Sequence, residues 1–159
     1  MTDWFVLNAR DAEWTDCPLG KNCGFESDDA RFEQLGINLN VLQPGEPMTM
    51  YHREGEQEDF LVLDGYCVLV VEGEERPLKR WDLFHCPPGV AHAIVGAGDR
   101  PSLVLAVGAR SGAKGLVYPV DPVAGKYGAS VTAETTEAKV AYEGIEFRDG
   151  PYKQGWLSD

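Results

Sequence analysis

Apolar and polar residues alternate strictly over Ile37-Asn38-Leu39-Asn40-Val41, within a longer stretch from Phe32 to Leu42. A period of two marks a strand with one buried face. Beyond Pro44-Gly45 and Pro47 the chain breaks into short runs of strand character. These are Thr49 to Glu54, Asp59 to Leu63, Tyr66 to Glu72, Arg76 to Leu78, Asp82 to Cys86, His92 to Val95 and Leu103 to Val107. Gly55 supplies one turn, and Asp64-Gly65 reads as a hairpin turn between two runs. Glu72-Gly73-Glu74 turns the chain again. Short strands with regular turn signals predict an all-β fold, a single antiparallel β-barrel or sandwich. No βαβ spacing appears, which argues against a parallel sheet, and the pattern has no second copy.

The flanks read differently. Trp4-Phe5-Val6-Leu7 predicts a short N-terminal edge strand, of the kind that crosses to a neighbour in a dimer. Residues 8–24 are rich in turn formers and read as a loop. Tyr118 to Val123 is proline-rich and extended, residues 132–142 favour a short helix ended by Gly144, and Phe147 to Trp156 shows aromatics without a period. The expected division is an N-terminal arm at 1–30, a barrel core at 31–112 and a C-terminal extension at 113–159. The extension packs either on the barrel or on a partner subunit.

Charge narrows the partners. The chain carries 14 basic and 26 acidic residues, a net charge of −12. That field repels phosphate backbones and argues against nucleic acid. No apolar run approaches the ~20 residues that span a bilayer. Met1 to Asn8 has no basic region followed by a long apolar one, so no signal peptide and no membrane partner are expected, and the compartment implied is cytoplasmic. Cys17, Cys23, Cys67 and Cys86 then read as free thiols, because no second pair follows Cys17 and Cys23 at zinc-ligand spacing. Cys67 reads as a small buried residue. Cys86 reads as core or as the border of a site, being six residues from His92.

Chemistry concentrates in one third of the chain. All three histidines, His52, His85 and His92, lie between residues 52 and 92. Glu54 follows His52 at the spacing that puts both on one face of a strand, and Glu58 follows the Gly55 turn. Imidazoles and carboxylates are common ligands for divalent metals. Two stretches carry these residues, Gly45 to Gly65 and Trp81 to His92.

They resemble the two motifs of the cupin superfamily, G-x5-H-x-H-x3/4-E-x6-G and G-x5-P-x-G-x2-H-x3-N. Gly45, His52, Glu58 and Gly65 match the first with one extra residue after Gly45, and Glu54 stands where the second histidine is expected. Pro87, Gly89 and His92 match the second, with Trp81 in place of its first glycine and Gly96 in place of its asparagine. The wording around these motifs also resembles small single-domain bacterial cupins. The resemblance covers roughly residues 35 to 110 and implies a double-stranded β-helix, jelly-roll-like barrel.

It also implies a site. His52, Glu54, Glu58 and His92 become the candidate ligands of one divalent transition metal (Fe, Mn, Zn or Ni), with Glu54 either a ligand or a catalytic base beside the metal. An ungapped alignment instead puts Tyr51 and Arg53 at the two histidine positions, and a guanidinium does not ligate metals. His85 falls outside the motif and reads as core or outer rim. The function implied is binding or transformation of a small organic molecule inside the barrel, by dioxygenase, isomerase or lyase chemistry. The alternative is a non-catalytic binding or sensor barrel, metal-free in one form. A homodimer is the expected assembly.

Overall fold

A computed structural model describes residues 4–159. Met1, Thr2 and Asp3, the start of the expected N-terminal arm and of the segment read for a signal peptide, lie outside the described residues. The strands are β1 (Glu13–Cys17), β2 (Gly20–Gly24), β3 (Leu35–Leu42), β4 (Glu58–Asp64), β5 (Tyr66–Val71), β6 (Glu74–Lys79), β7 (Leu83–Cys86), β8 (His92–Ala97), β9 (Ser102–Ala109) and β10 (Arg148–Pro151). Two helices of one turn, α1 (Pro122–Gly125) and α2 (Ala138–Ala141), lie in the tail. No helix among the described residues is long and apolar enough to cross a membrane.

All pairings between strands are antiparallel. Seven strands form one sheet in the order β10-β1-β2-β3-β9-β4-β7, and β6-β5-β8 form the second. The segment before β4 extends the smaller sheet through the single bridges Pro47–Val95 and His52–His92. One core cluster joins the sheets: Leu42, Phe60, Val62 and Val104 from the large one pack with Leu69 and Ile94 from the small one. Full burial of each such side chain is worth roughly 1.5–3 kcal/mol, so this interface is what holds the two sheets face to face. The fold is the all-β, antiparallel class the alternation predicts.

Several local expectations change. Asp64-Gly65 does not close a hairpin, because β4 pairs with β7 and β9 whereas β5 pairs with β6 and β8. It is a corner at which the chain leaves one sheet for the other. Gly65 sits at φ +76°, and a Cβ there would stand 2.8 Å from Ser102 Cα, so the corner needs glycine. A tight hairpin does follow it at β5–β6, turned by Glu72 at φ +48° and Gly73 at φ +77°. Thr49 to Glu54 is not a regular strand; its strand-like pairing is confined to isolated bridges at His52 and Arg53.

The flanks hold more structure than expected. Residues 8–24 are not a loop: they contain a one-turn 3₁₀ helix (Ala9–Asp11) and the β1–β2 hairpin, which adds to β3. Trp4 to Leu7 is not a strand. Part of the stretch read as extended is helix α1, capped by Asp121, whose Oδ1 accepts the Ala124 N–H at 2.7 Å. The helix expected over residues 132–142 is confined to Ala138–Ala141, with Gly144 past its end at φ +79°. Within Phe147 to Trp156 lies β10, paired with β1, while Trp156 packs on Trp14 at 5.4 Å between ring centroids. The tail thus pairs with β1 and packs on Trp14 of its own chain.

Candidate metal centre

His52 and His92 meet across a closely bonded antiparallel bridge. The His52 N–H donates to the His92 carbonyl at 3.1 Å, and the His92 N–H donates to the His52 carbonyl at 2.8 Å. Residues directly opposite in such a pair put their side chains on the same face. The rings accordingly lie side by side, 4.9 Å between centroids. Glu58 opens β4 in the other sheet, opposite Cys86 and Gly108, and reaches across to both imidazoles. Its Oε2 stands 3.3 Å from His92 Nε2 and 3.7 Å from His52 Nε2.

Both rings are oriented from behind. His52 Nδ1 lies 2.8 Å from the Met50 carbonyl, and His92 Nδ1 lies 3.1 Å from the Val90 carbonyl. A carbonyl only accepts, so each Nδ1 carries the proton and each Nε2 is left facing Glu58. Hydrogen bonding of this kind behind an imidazole is the usual support of a metal-ligating histidine.

The three donor groups lie within 4.8 Å of one another. Among the described residues, Glu58 Oε2 and His92 Nε2 are the buried side-chain polar atoms left without a hydrogen-bond partner. With the ring proton on Nδ1 both atoms are acceptors, so neither satisfies the other. A buried polar atom without a partner costs roughly 1–3 kcal/mol, and a cation placed between these atoms would satisfy both. The donor set, two nitrogens and a carboxylate, therefore fits the divalent metal that the motif resemblance implies.

Charge is distributed unevenly here. Burial acts to raise the Glu58 carboxyl, but the two facing imidazoles prevail and hold it down to about 2. Burial acts to lower His52, and Glu58 with the Met50 carbonyl raises it nonetheless. Glu54 is pushed up to about 7, first by burial and then by the Glu58 carboxylate beside it. One carboxyl of the pair keeps the charge and the other holds a proton near neutrality.

The structure thus brings together His52, Glu58 and His92. Glu54 stands beside Glu58, outside the group of mutually close donors, with its backbone carbonyl accepting the Gly89 N–H at 2.8 Å. Tyr51 turns elsewhere: its hydroxyl accepts the Gly73 N–H at 3.2 Å. Arg53 pairs through its backbone with Val117. His52 is therefore the residue of this segment that meets Glu58 and His92, as in the gapped alignment. His85 is on the outer rim, bonded to Asp59 at 2.6 Å. Cys86 is both core and border, with its Sγ 3.3 Å from His92 Nδ1 and its thiol pushed up to about 12 by burial and the nearby Glu58 carboxylate.

Phe60 and Phe84 wall the site, 5.3 and 5.7 Å from the His92 ring. Tyr118, buried, lies 5.8 Å from the His52 ring, and Tyr142 meets Tyr118 edge-on. Sequence reasoning missed these two tyrosines. Their one signal was a concentration of aromatics in the tail.

Residues 38–108 match the family described as a cupin domain. A 5-nitrosalicylic acid 1,2-dioxygenase from Bradyrhizobium sp is 30% identical over 73 residues, which are 46% of this chain and 35% of the dioxygenase. The matched part therefore spans about a third of that relative's length. Among solved structures, a sugar phosphate isomerase of the cupin superfamily from Silicibacter pomeroyi is 31% identical with a TM-score of 0.50, over 57% of this chain and 60% of that one. The polyketide cyclase RemF from Streptomyces resistomycificus, 13% identical, aligns at a TM-score of 0.60 over 71% of this chain and 83% of its own, a likeness of fold alone. The matched stretch takes in His52, Glu58 and His92, so the site lies within the part of the chain, residues 38–108, that matches a cupin domain.

Proposed function

We propose that this chain holds one divalent transition metal through His52 Nε2, His92 Nε2 and the Glu58 carboxylate, and acts as an enzyme on a small organic molecule. The observation that carries this reading is the pair of buried, unpartnered atoms, Glu58 Oε2 and His92 Nε2, facing each other at 3.3 Å. A two-histidine, one-carboxylate set leaves coordination positions open and is the set found in non-haem Fe(II) oxygenases. That chemistry and the dioxygenase among the relatives make oxygenation the first reading. A bound metal would supply Lewis-acid polarisation, or oxygen activation if it is iron.

The chain's own residues set the rest. His52 and His92 present Nε2 because their Nδ1 protons are committed to backbone carbonyls. Phe60 and Phe84 close the side behind His92 and keep water from it. Glu58 keeps 19% of its side chain exposed, against 2% for His92, so the site meets solvent on the side of Glu58 and Glu54 and that is its entrance. Glu54, which holds a proton near neutral pH, serves as the general acid or base at that entrance. Isomerisation is the second reading, favoured by the 31% identity to the sugar phosphate isomerase; it would use the same Glu54 to move a proton and would need no oxygen.

The test is elemental analysis of tag-free protein beside a His52→Ala/His92→Ala variant, followed by oxygen-uptake and isomerase assays on the loaded protein. Near-stoichiometric metal, lost in the variant, is the expected result. Wild-type protein that stays metal-free after reconstitution with Fe(II), Mn, Zn and Ni would overturn the reading in favour of a metal-free binding barrel.

A further inference from the structure

The segment that delivers His52 is irregular, and a regular strand's ladder of bonds is missing there. His52 itself pairs with His92, and the backbone on either side of it is held by the C-terminal tail. Tyr142, the residue following α2, has a hydroxyl that accepts the Met50 N–H at 3.1 Å. The next N–H, that of Tyr51, donates to the Ala129 carbonyl at 2.7 Å. It belongs to the same peptide plane as the Met50 carbonyl, which accepts from His52 Nδ1 at 2.8 Å. Arg53 and Val117 then exchange both backbone bonds, at 3.0 and 2.9 Å. The tail thus grips Met50, Tyr51 and Arg53, on both sides of His52, and all of these tail residues lie beyond the matched domain at 38–108.

We propose that Tyr142 is a positioning residue for His52: it holds the peptide before Met50 while Ala129 holds the peptide after it, and with both ends of Met50 fixed its carbonyl selects the His52 tautomer and aims Nε2 at Glu58. The tail is thereby part of the metal centre and not merely a cover for the barrel. The geometry supports a specific role for the hydroxyl. The Tyr142 ring is held independently, edge-on against Tyr118 at 5.8 Å and tilted on Phe147 at 6.0 Å, so removing the oxygen leaves the packing in place. The Met50 N–H, however, loses its acceptor, and the segment that carries His52 gains freedom. The proposal rests on the reading of His52 as a metal ligand, and its test is built to separate the two.

Tyr142→Phe is compared with wild type in two ways. In chelator, long-range proton–nitrogen NMR reads the His52 ring: wild type shows one tautomer, with the proton on Nδ1, and the variant a mixture of the two. With Zn(II) alone, competition against a chromophoric chelator reads affinity: the variant binds about tenfold more weakly, the lower end of what loss of a supporting hydrogen bond does. Tyr127→Phe removes another tail hydroxyl, one bonded to Glu75 and not to the segment that carries His52, and matches wild type in both. A lowered melting temperature with His52 unchanged would overturn the proposal, and so would weakened binding with His52 unchanged. If wild type binds no metal, the metal-centre reading fails, and the tautomer measurement alone decides the role of Tyr142.

Discussion

Replacing Glu54 with Gln should stabilise the metal-free protein at pH 8 and do little at pH 4. The carboxyl is pushed up from its ordinary 4.5 to about 7 by burial and by Glu58. A group raised in the folded state favours folding while protonated, below 4.5, and that contribution is lost as the pH rises through 7. Above 7 the fold therefore carries a second, unwelcome carboxylate beside Glu58. The displacement corresponds to at most about 3 kcal/mol. Glu54 is only half-buried and solvent screens part of the repulsion, so about 1–2 kcal/mol is the realistic size. Glutamine keeps the shape and cannot ionise. For a chain of this length that is a rise in melting temperature of roughly 3–6 °C at pH 8. The assay is calorimetry of wild type and Glu54→Gln in chelator, at pH 4 and pH 8. Equal gains at both pH values, or none at pH 8, would refute the charge argument. Saturation with Zn(II) should shrink the gain, because a cation at Glu58 offsets the repulsion that glutamine removes.

Gly96 occupies the family's asparagine position, and a Cβ there would run into the Gln43 carbonyl oxygen with Leu42 Cβ at 3.0 Å. Gly96→Ala should cost about 2–3 kcal/mol in urea unfolding, as forced overpacking does, while an unchanged midpoint would mean that the turn at Gln43 moves freely. Trp81, in place of a family glycine, sits at φ +78° and is 63% exposed. Trp81→Gly relieves about 1–2 kcal/mol of backbone strain and adds up to about 1 kcal/mol of unfolded-state entropy, so a small net stabilisation is expected by calorimetry. All four cysteines are buried and free; a disulfide-exchange reagent should label none within minutes at pH 7.5 and all four in denaturant, and rapid labelling of native Cys86 would contradict its burial behind His92.

The central strands were legible because each alternates and ends at a turn former, as Ile37 to Val41 does before Pro44-Gly45. β1 was not: its buried residues, Trp14 and Cys17, are three apart in a strand that does not alternate, and Pro18 and Gly20 mimic a loop. β10 is short, exposed and polar, so nothing in Arg148–Pro151 announces it. Asp64-Gly65 carries the local signature of a hairpin, yet the partner that decides its role is Ser102, far along the chain. The site divides the same way. His52, Glu58 and His92 were found through the resemblance to the two family motifs, whose residues keep fixed offsets along the chain. Tyr142 was not, because it reaches Met50 across 92 positions and through a backbone atom, which leaves no trace in side-chain pattern.

The corner at Gly65 has one more outcome. The chain changes sheets there, as it also does between His52 and Glu58 and between β7 and β8, so the two imidazoles belong to one wall of the sandwich and the carboxylate to the other. The donors therefore work as a caliper on the gap between the walls. Swapping Val62 or Ile94, both fully buried in that gap, for a larger or smaller side chain would reset the caliper's opening without touching any donor. Metal choice and affinity would then be adjustable from the hydrophobic core, at positions no site motif includes.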